Sequence, residues 1–342
     1  MQIDWLACAH DALRQFPVLP KTVRLISRAE NVSFFVEAEE SERYVLRIHR
    51  PEYHTLTELI SEQVWTEALL ADGIDVPVVV KTTDHERYTQ VSVNGVTRNV
   101  GLLQWVDGES LRERSRGSDD VEDLTRIYKD VGHLLAILHE QASRWNPPAD
   151  FERHSFDEHG LMGEQPFWGR FWEASDLTRD QLDRLLSMRN RIYALLSRLP
   201  KDQDVYSLIH ADLHTGNLIS HGNSLHIIDF DDAGFGWHCY DFAVALSEIQ
   251  EPDLREPLLN ALFEGYEQKR NLTHWVKDLV PLFNVIRHLV HIGWIDARPD
   301  LSRDPSYKRR PYQQAARQFD GVIAKAESVI AGISRKENTA LS

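Results

Sequence analysis

Three oxygen-bearing side chains stand at fixed intervals between Leu208 and Asp241: Asp212, Asn217 five residues on, and Asp229 twelve beyond that. An amide and a carboxylate that meet at one point suit a hard divalent cation, and a separate carboxylate can serve as a base. The local pattern brings them together. Ser207 to Ile209 is short and apolar, His210 to Gly216 is polar, and Asn217 to Ser220 reads as a strand. His221-Gly222-Asn223 is a hairpin turn and Leu225 to Asp229 the return strand, so Asn217 and Asp229 become neighbours at one mouth. Asp212 lies in the loop just before them. Singly, each residue has a plainer reading. Asp229 alone suits a turn, Asp231 and Asp232 suit a solvated loop, and His210 with His214 imitates a metal pair on a helix. Gly216 and the β-type flanks argue against a helix there.

The elements that must hold these groups follow from hydrophobic period. Residues 4–15 read as a short amphipathic helix, and Thr22 to Ile26 and Val32 to Glu37 as strands joined by a loop without glycine. Tyr44 to His49 is a strand with Arg47 and His49 on one face. Thr55 to Ala71 is a helix opened by a Thr55-x-x-Glu58 capping box, which leaves Glu62 free for another task. Asp72-Gly73 stops it. Pro77 to Val80, Tyr88 to Val93 and Thr97 to Gln104 complete a small antiparallel sheet, with Asn94-Gly95 as a hairpin turn. The pattern then turns helical: Val121 to Leu138, Leu182 to Leu199, and helices near 241–250, 254–268, 274–295 and 312–333, with a frayed tail past Ser334. Residues 143–177 are irregular and aromatic. His133 and His139 read as core-edge or surface residues, and His288 and His291 as either core or the wall of an acceptor pocket.

His210-x-Asp212-x-His214-x-x-Asn217 followed by Ile228-Asp229-Phe230 resembles the catalytic core of the aminoglycoside phosphotransferase and choline kinase superfamily, which is similar in fold to protein kinases. The resemblance spans about residues 20 to 300. It implies an α+β, two-lobed protein-kinase-like fold, with a nucleotide-binding sheet lobe over residues 1–105 and a mostly helical catalytic and acceptor-binding lobe over 106–342. It implies ATP and Mg2+ as cofactors. Asp212 would be the base, Asn217 and Asp229 the metal ligands, and His210, His214 and Asp241 supporting groups. Arg47 would take the place of the family's phosphate-binding Lys, paired with Glu62. Ser33 would touch a phosphate, and Gln104, Trp105 and Val106 would line the adenine edge. Arg47-Ile48-His49-Arg50-Pro51 and Ile228 to Ala233 are most similar to the branch with type II homoserine kinase and a bacterial stress-response Ser/Thr kinase. Ala211 stands where the family often has Gly, which matters only if the backbone there needs positive φ.

Composition bounds the rest. The chain has 342 residues and a net charge of −15, which disfavours a nucleic-acid partner. Two cysteines are too few for a disulfide framework, no apolar run reaches membrane length, and no signal peptide is expected from the opening residues. A cytoplasmic protein without a membrane partner is expected. The function expected is transfer of the γ-phosphate of ATP to a hydroxyl of an amino alcohol, hydroxy amino acid or aminoglycoside-like molecule. Alternatives are a Ser/Thr protein kinase, a pseudokinase scaffold, and a metal-dependent hydrolase built on His210, His214 and Asp229 to Asp232.

Overall fold

The computed structural model describes residues 3–116, 120–222, 224–249, 251–299 and 306–340. Asn223 of the expected turn and residue 250 of an expected helix lie outside them. The chain opens with α1 (Trp5–Leu13), β1 (Pro20–Arg28), β2 (Val32–Ala38), β3 (Arg43–Ile48), α2 (Leu56–Ala71), β4 (Val79–Val80), β5 (Thr89–Val93), β6 (Val96–Gln104) and β7 (Glu109–Ser110). It continues with α3 (Leu111–Arg116), α4 (Val121–Arg144), β8 (Ser155–Phe156), α5 (Glu158–Met162), α6 (Arg179–Leu196), β9 (Tyr206–Ile209), β10 (Leu218–His221) and β11 (Ser224–Ile227). Last come β12 (Gly234–Trp237), α7 (His238–Ala245), α8 (Pro252–Glu267), α9 (Val276–Asp296) and α10 (Ser306–Ala340). The fold is α+β and two-lobed, with an antiparallel sheet lobe and a larger helical lobe.

Chain contacts define two compact units. Unit 1 is Met1–Leu111 with Asn146–Arg153 and Asn217–Asp231; unit 2 is Arg112–Trp145, His154–Gly216 and Asp232–Ser342. In unit 1 the sheet runs β1-β2-β3-β6-β4, with β5 on β6. Alternating burial along β2 turns Val32, Phe34, Val36 and Ala38 inward, onto Ala9, Ala12 and Leu13 of α1. The Thr55–Glu58 capping box is present and starts α2. The β10–β11 hairpin belongs to this unit although it lies far along the chain. Strand β10 pairs with β7 as well as β11, the Ile227 N–H donates to the Asp75 carbonyl at 2.9 Å, and Phe230 meets the Trp65 ring edge-on.

In unit 2, β12 pairs with β9 antiparallel and with β8 parallel, beside helices α4 and α7, with α8 packed on α4 and α9 on α7. Three expectations are corrected. Helix α6 starts at Arg179 rather than Leu182, because Thr178 and Gln181 form a second capping box. Helix α10 starts earlier than 312 and continues to Ala340, so the expected frayed tail past Ser334 is helical. Helix α7 spans His238–Ala245 rather than 241–250, which leaves Asp241 in its first turn.

Two backbone features of unit 2 are testable. Helices α4 and α8 touch through glycines: a Cβ on Gly132 would run into the Leu262 carbonyl, and one on Gly265 into the Lys129 carbonyl. Overpacking costs about 1–3 kcal/mol, so Gly132→Ala is expected to lower Tm by several degrees, as read by calorimetry. Ala211 is fully buried with φ 63°, the left-handed region where a Cβ is strained. The condition under which alanine matters is therefore met. Ala211→Gly should relieve roughly 1 kcal/mol and leave the protein at least as stable in urea; a clear loss would show that the strain is absent.

Candidate active site

In unit 1 the site is built around Arg47 on β3, which faces Ser33 on β2 and Gly101 on β6 across the sheet. Its side chain is 11% exposed, and three carboxylates converge on it. One terminal nitrogen, Nη2, lies 2.6 Å from Asp229 Oδ1 and 3.7 Å from Asp231 Oδ1, while Nη1 lies 3.7 Å from Glu62 Oε1. The expected Arg47–Glu62 pair exists, but Asp229 is the tighter partner. Burial works against the Arg47 charge; Asp229, Asp231 and Glu62 outweigh it and hold its pKa above the ordinary range. The Glu62 carboxyl is pushed up by burial over the opposing pull of Arg47. Asp231 moves the other way: burial is overcome by Arg47 and His49, which hold its carboxyl well below the usual range.

Asn217 ends a short 3-10 turn (Thr215–Asn217) and is buried, and its carbonyl accepts from Ile228 N at 3.0 Å. That bond closes the hairpin mouth and sets Asn217 beside the start of Asp229. Asp229 has φ 67° and an exposed side chain. An amide oxygen and a carboxylate already holding a cation, Arg47, form a donor set that fits a hard divalent ion. Ser33 is half-buried on β2. The N–H groups of Gln104 and Trp105 are committed to the Val78 and Arg43 carbonyls, and the Trp105 ring packs edge-on against Phe35.

In unit 2 the loop after β9 carries His210, Asp212 and His214. Asp241 on α7, fully buried, accepts from the backbone N–H of His210 (3.1 Å) and Ala211 (2.8 Å), and His139 Nε2 is 3.1 Å away. Burial raises the Asp241 carboxyl to about 6. His210 Nδ1 accepts from Asp212 N at 3.3 Å, and His214 Nδ1 from Gly216 N at 3.1 Å. This leaves His214 Nε2 facing Asp212 Oδ2 at 3.6 Å. Asp212 Oδ1 receives Arg287 Nη2 from α9 at 2.5 Å. Burial alone would raise the Asp212 carboxyl, but Arg287, then His214 and His210, lower it below the ordinary value, so it is a carboxylate at neutral pH.

Several of these groups were invisible to pattern reading. Arg287 immediately precedes the His288 that the sequence flagged. His288 itself is buried core, its imidazole pushed down to about 4 mainly by burial, while His291 is exposed beside Trp294. His139 is no core-edge residue: it is fully buried, stacked on His238 at 3.9 Å and within reach of Tyr266 Oη. Asp231 is buried rather than a solvated loop residue. Arg112 pairs with Glu248 and reaches His214 Nδ1 at 3.1 Å, and Thr215 Oγ1 donates to the same Glu248. The metallohydrolase alternative fails on the histidines. Both Nδ1 atoms are taken by backbone N–H groups, and among the described residues His210 and His214 join no metal-ligand cluster.

Residues 22–277 match the model of the phosphotransferase enzyme family. The chain is 23% identical over 292 residues to amicoumacin kinase of Bacillus subtilis (strain 168), covering 82% of this chain and 81% of that one. Among solved structures, the microcompartment-associated aminopropanol kinase is 31% identical, with a TM-score of 0.78 over 96% of this chain and 98% of its own. The amicoumacin kinase hAmiN in complex with AMP-PNP, Ca2+ and Ami is similar in fold at 20% identity and a TM-score of 0.77, over 92% and 94%. No described helix is long and apolar enough to cross a membrane. With the greater part of its length inside the family model and a relative above 30% identity along nearly all of it, the chain belongs to the phosphotransferase enzyme family and is an ATP-dependent, kinase-type enzyme whose acceptor is an alcohol group of a small molecule.

Proposed function

We propose that the chain moves the γ-phosphate of Mg-ATP to the hydroxyl of a small amino alcohol. The observation that carries the chemistry is the ionised Asp212 carboxylate on a loop whose backbone is clamped by Asp241. The likeness to an aminopropanol kinase supports the acceptor class, since it extends over nearly the whole of both chains. Hydroxy amino acids and larger aminoglycoside-like amines are the next acceptors to test.

Asp212 accepts the acceptor's proton and orients its oxygen, with His214 beside it and His210 bracing the loop. Arg47 holds nucleotide phosphates, set among Asp229, Asp231 and Glu62, with Ser33 on the neighbouring strand. Asn217 and Asp229 hold magnesium, which when bound neutralises charge on the phosphate oxygens. The adenine edge falls to Val106 and the carbonyls around it, because the Gln104 and Trp105 N–H groups are committed elsewhere.

An ATP-consumption screen over amino alcohols, hydroxy amino acids and aminoglycosides tests the acceptor; turnover with none of them defeats the proposal. Asp212→Asn keeps size but removes basicity. It should lower kcat by about 10²–10⁴-fold while affinity for a non-hydrolysable ATP analogue stays near the parent's, measured by isothermal titration.

Arg287 gives a second test, through pH. The folded-state Asp212 carboxyl lies below its ordinary value, so it stays charged through the neutral range and does not set an acid limb there. Arg287→Met removes the cation that opposes burial, and the carboxyl must then rise. The acid limb of kcat should move upward in pH relative to the parent. A limb that stays in place would mean that Arg287 does not tune the base.

A further inference from the structure

Resting on the nucleotide-binding role just proposed for unit 1, we infer that Asp231, rather than Glu62, is the carboxylate that ties the Arg47 cluster to the β1–β2 loop and fastens that loop for ATP. In kinase-like enzymes a helix carboxylate is expected to hold the phosphate-binding cation. Here Glu62 and Asp231 both reach Arg47 at 3.7 Å, and Glu62 Oε2 and Asp231 Oδ1 are both buried without a hydrogen bond, so the contact with Arg47 does not separate them. What separates them is that Asp231 also bonds the β1–β2 loop.

Its carboxylate joins three segments. Oδ2 accepts from Asn31 Nδ2 at 3.1 Å, while Oδ1 faces Arg47 Nη2 at 3.7 Å and His49 Nδ1 at 3.6 Å. Asn31 ends the glycine-free loop between β1 and β2, and its own Oδ1 accepts from Arg50 N at 3.2 Å, so the loop is tied to the end of β3. The Asp231 backbone is held as well: Arg153 Nη2 donates to its carbonyl at 2.5 Å and Nη1 to the Glu58 carbonyl of α2 at 3.1 Å. Asn31 and Asp231 are each more than nine-tenths buried.

Glycine-rich loops approach phosphates through backbone freedom. A loop that lacks glycine has to be held in its working conformation by side chains, and the Asn31–Asp231 bond is such a tie. Asp231 lies two residues after Asp229, so one short segment places the metal-side carboxylate and the loop anchor together. Asp231 is therefore a positioning residue, acting through Arg47 and Asn31 without touching nucleotide.

The test compares Asp231→Asn, Asn31→Ala and Glu62→Gln with the parent. Isothermal titration with a non-hydrolysable ATP analogue is run with and without magnesium, beside steady-state kinetics and melting curves. A charge-assisted hydrogen bond lost at a buried site predicts analogue binding weaker by about tenfold in Asp231→Asn. The ATP KM should rise similarly and the acceptor KM should stay within about twofold, by the same reasoning that only nucleotide contacts change. Asn31→Ala removes the loop tie alone and should raise the ATP KM in the same sense, which keeps the inference testable if Asp231→Asn melts too low to assay. The double exchange Asn31→Asp with Asp231→Asn restores the side-chain bond in reverse and should recover part of the nucleotide affinity lost in Asp231→Asn. Glu62→Gln should weaken analogue binding less than Asp231→Asn does. Equal binding in parent, Asp231→Asn and Asn31→Ala overturns the inference and leaves the kinase reading standing. A larger loss in Glu62→Gln also overturns it and returns the role to Glu62. A parent that binds no ATP analogue defeats both.

Discussion

A charge buried in protein has to be answered by a counter-charge or by donors, because the low-dielectric interior penalises it otherwise. Within each unit the charged groups of the candidate site are arranged by this constraint. In unit 1, Arg47 stands among Asp229, Asp231 and Glu62. In unit 2, Asp212 is answered by Arg287, and Asp241 by two backbone N–H groups and His139. Each pairing joins elements distant in sequence. Arg47 and Asp229 lie on β3 and after β11, and His139 and Asp241 on α4 and α7. The fold can therefore be read as the means of delivering these partners to one another.

The Asp241 clamp also explains a backbone oddity. Ala211 adopts φ 63°, which costs an L-residue on the order of 1–2 kcal/mol. Hydrogen bonds to a charged group contribute about 1.5–3 kcal/mol each, and Asp241 receives two from this turn. The two bonds act against the strain, while burial of the carboxylate takes back part of their contribution. What the strained turn achieves is local: it lets the Asp212 N–H reach His210 Nδ1, which fixes the carboxylate's approach. His139 takes part from behind, and its burial against His238 keeps its imidazole well below the ordinary pKa and so neutral, a donor to Asp241 through Nε2 and not a cation.

The legible parts of the sequence were those that repeat with a period or sit in a fixed order. Alternation gave the faces of β3, Thr55-x-x-Glu58 gave the start of α2, and the pattern around Asp212, Asn217 and Asp229 gave a loop and a hairpin that the structure forms. The illegible parts depend on distance in space. Nothing around Arg287 distinguishes it from other helix arginines until α9 sets it 2.5 Å from Asp212. Asp231 resembles an ordinary loop acid until burial and Asn31 define it. The start of α6 was missed for a different reason: Thr178 and Gln181 form a capping box as legible as the one at Thr55, but it lies at the edge of an aromatic, proline-containing stretch where no period called attention to it.

Arginine at position 47 is best understood as a choice of geometry rather than a weakened lysine. A lysine ammonium is a compact point charge, whereas a guanidinium is a planar fork with donors on separate nitrogens. Here the fork is used: Nη2 takes Asp229 and Asp231, and Nη1 turns toward Glu62. One cation cannot neutralise three carboxylates, and the cluster relieves the imbalance unevenly, with Glu62 pushed toward its neutral form and Asp231 held ionised. Asp229, the exposed member, remains turned to solvent on a positive-φ backbone. Its Oδ1 is held by Arg47, while the buried members stay around the same guanidinium.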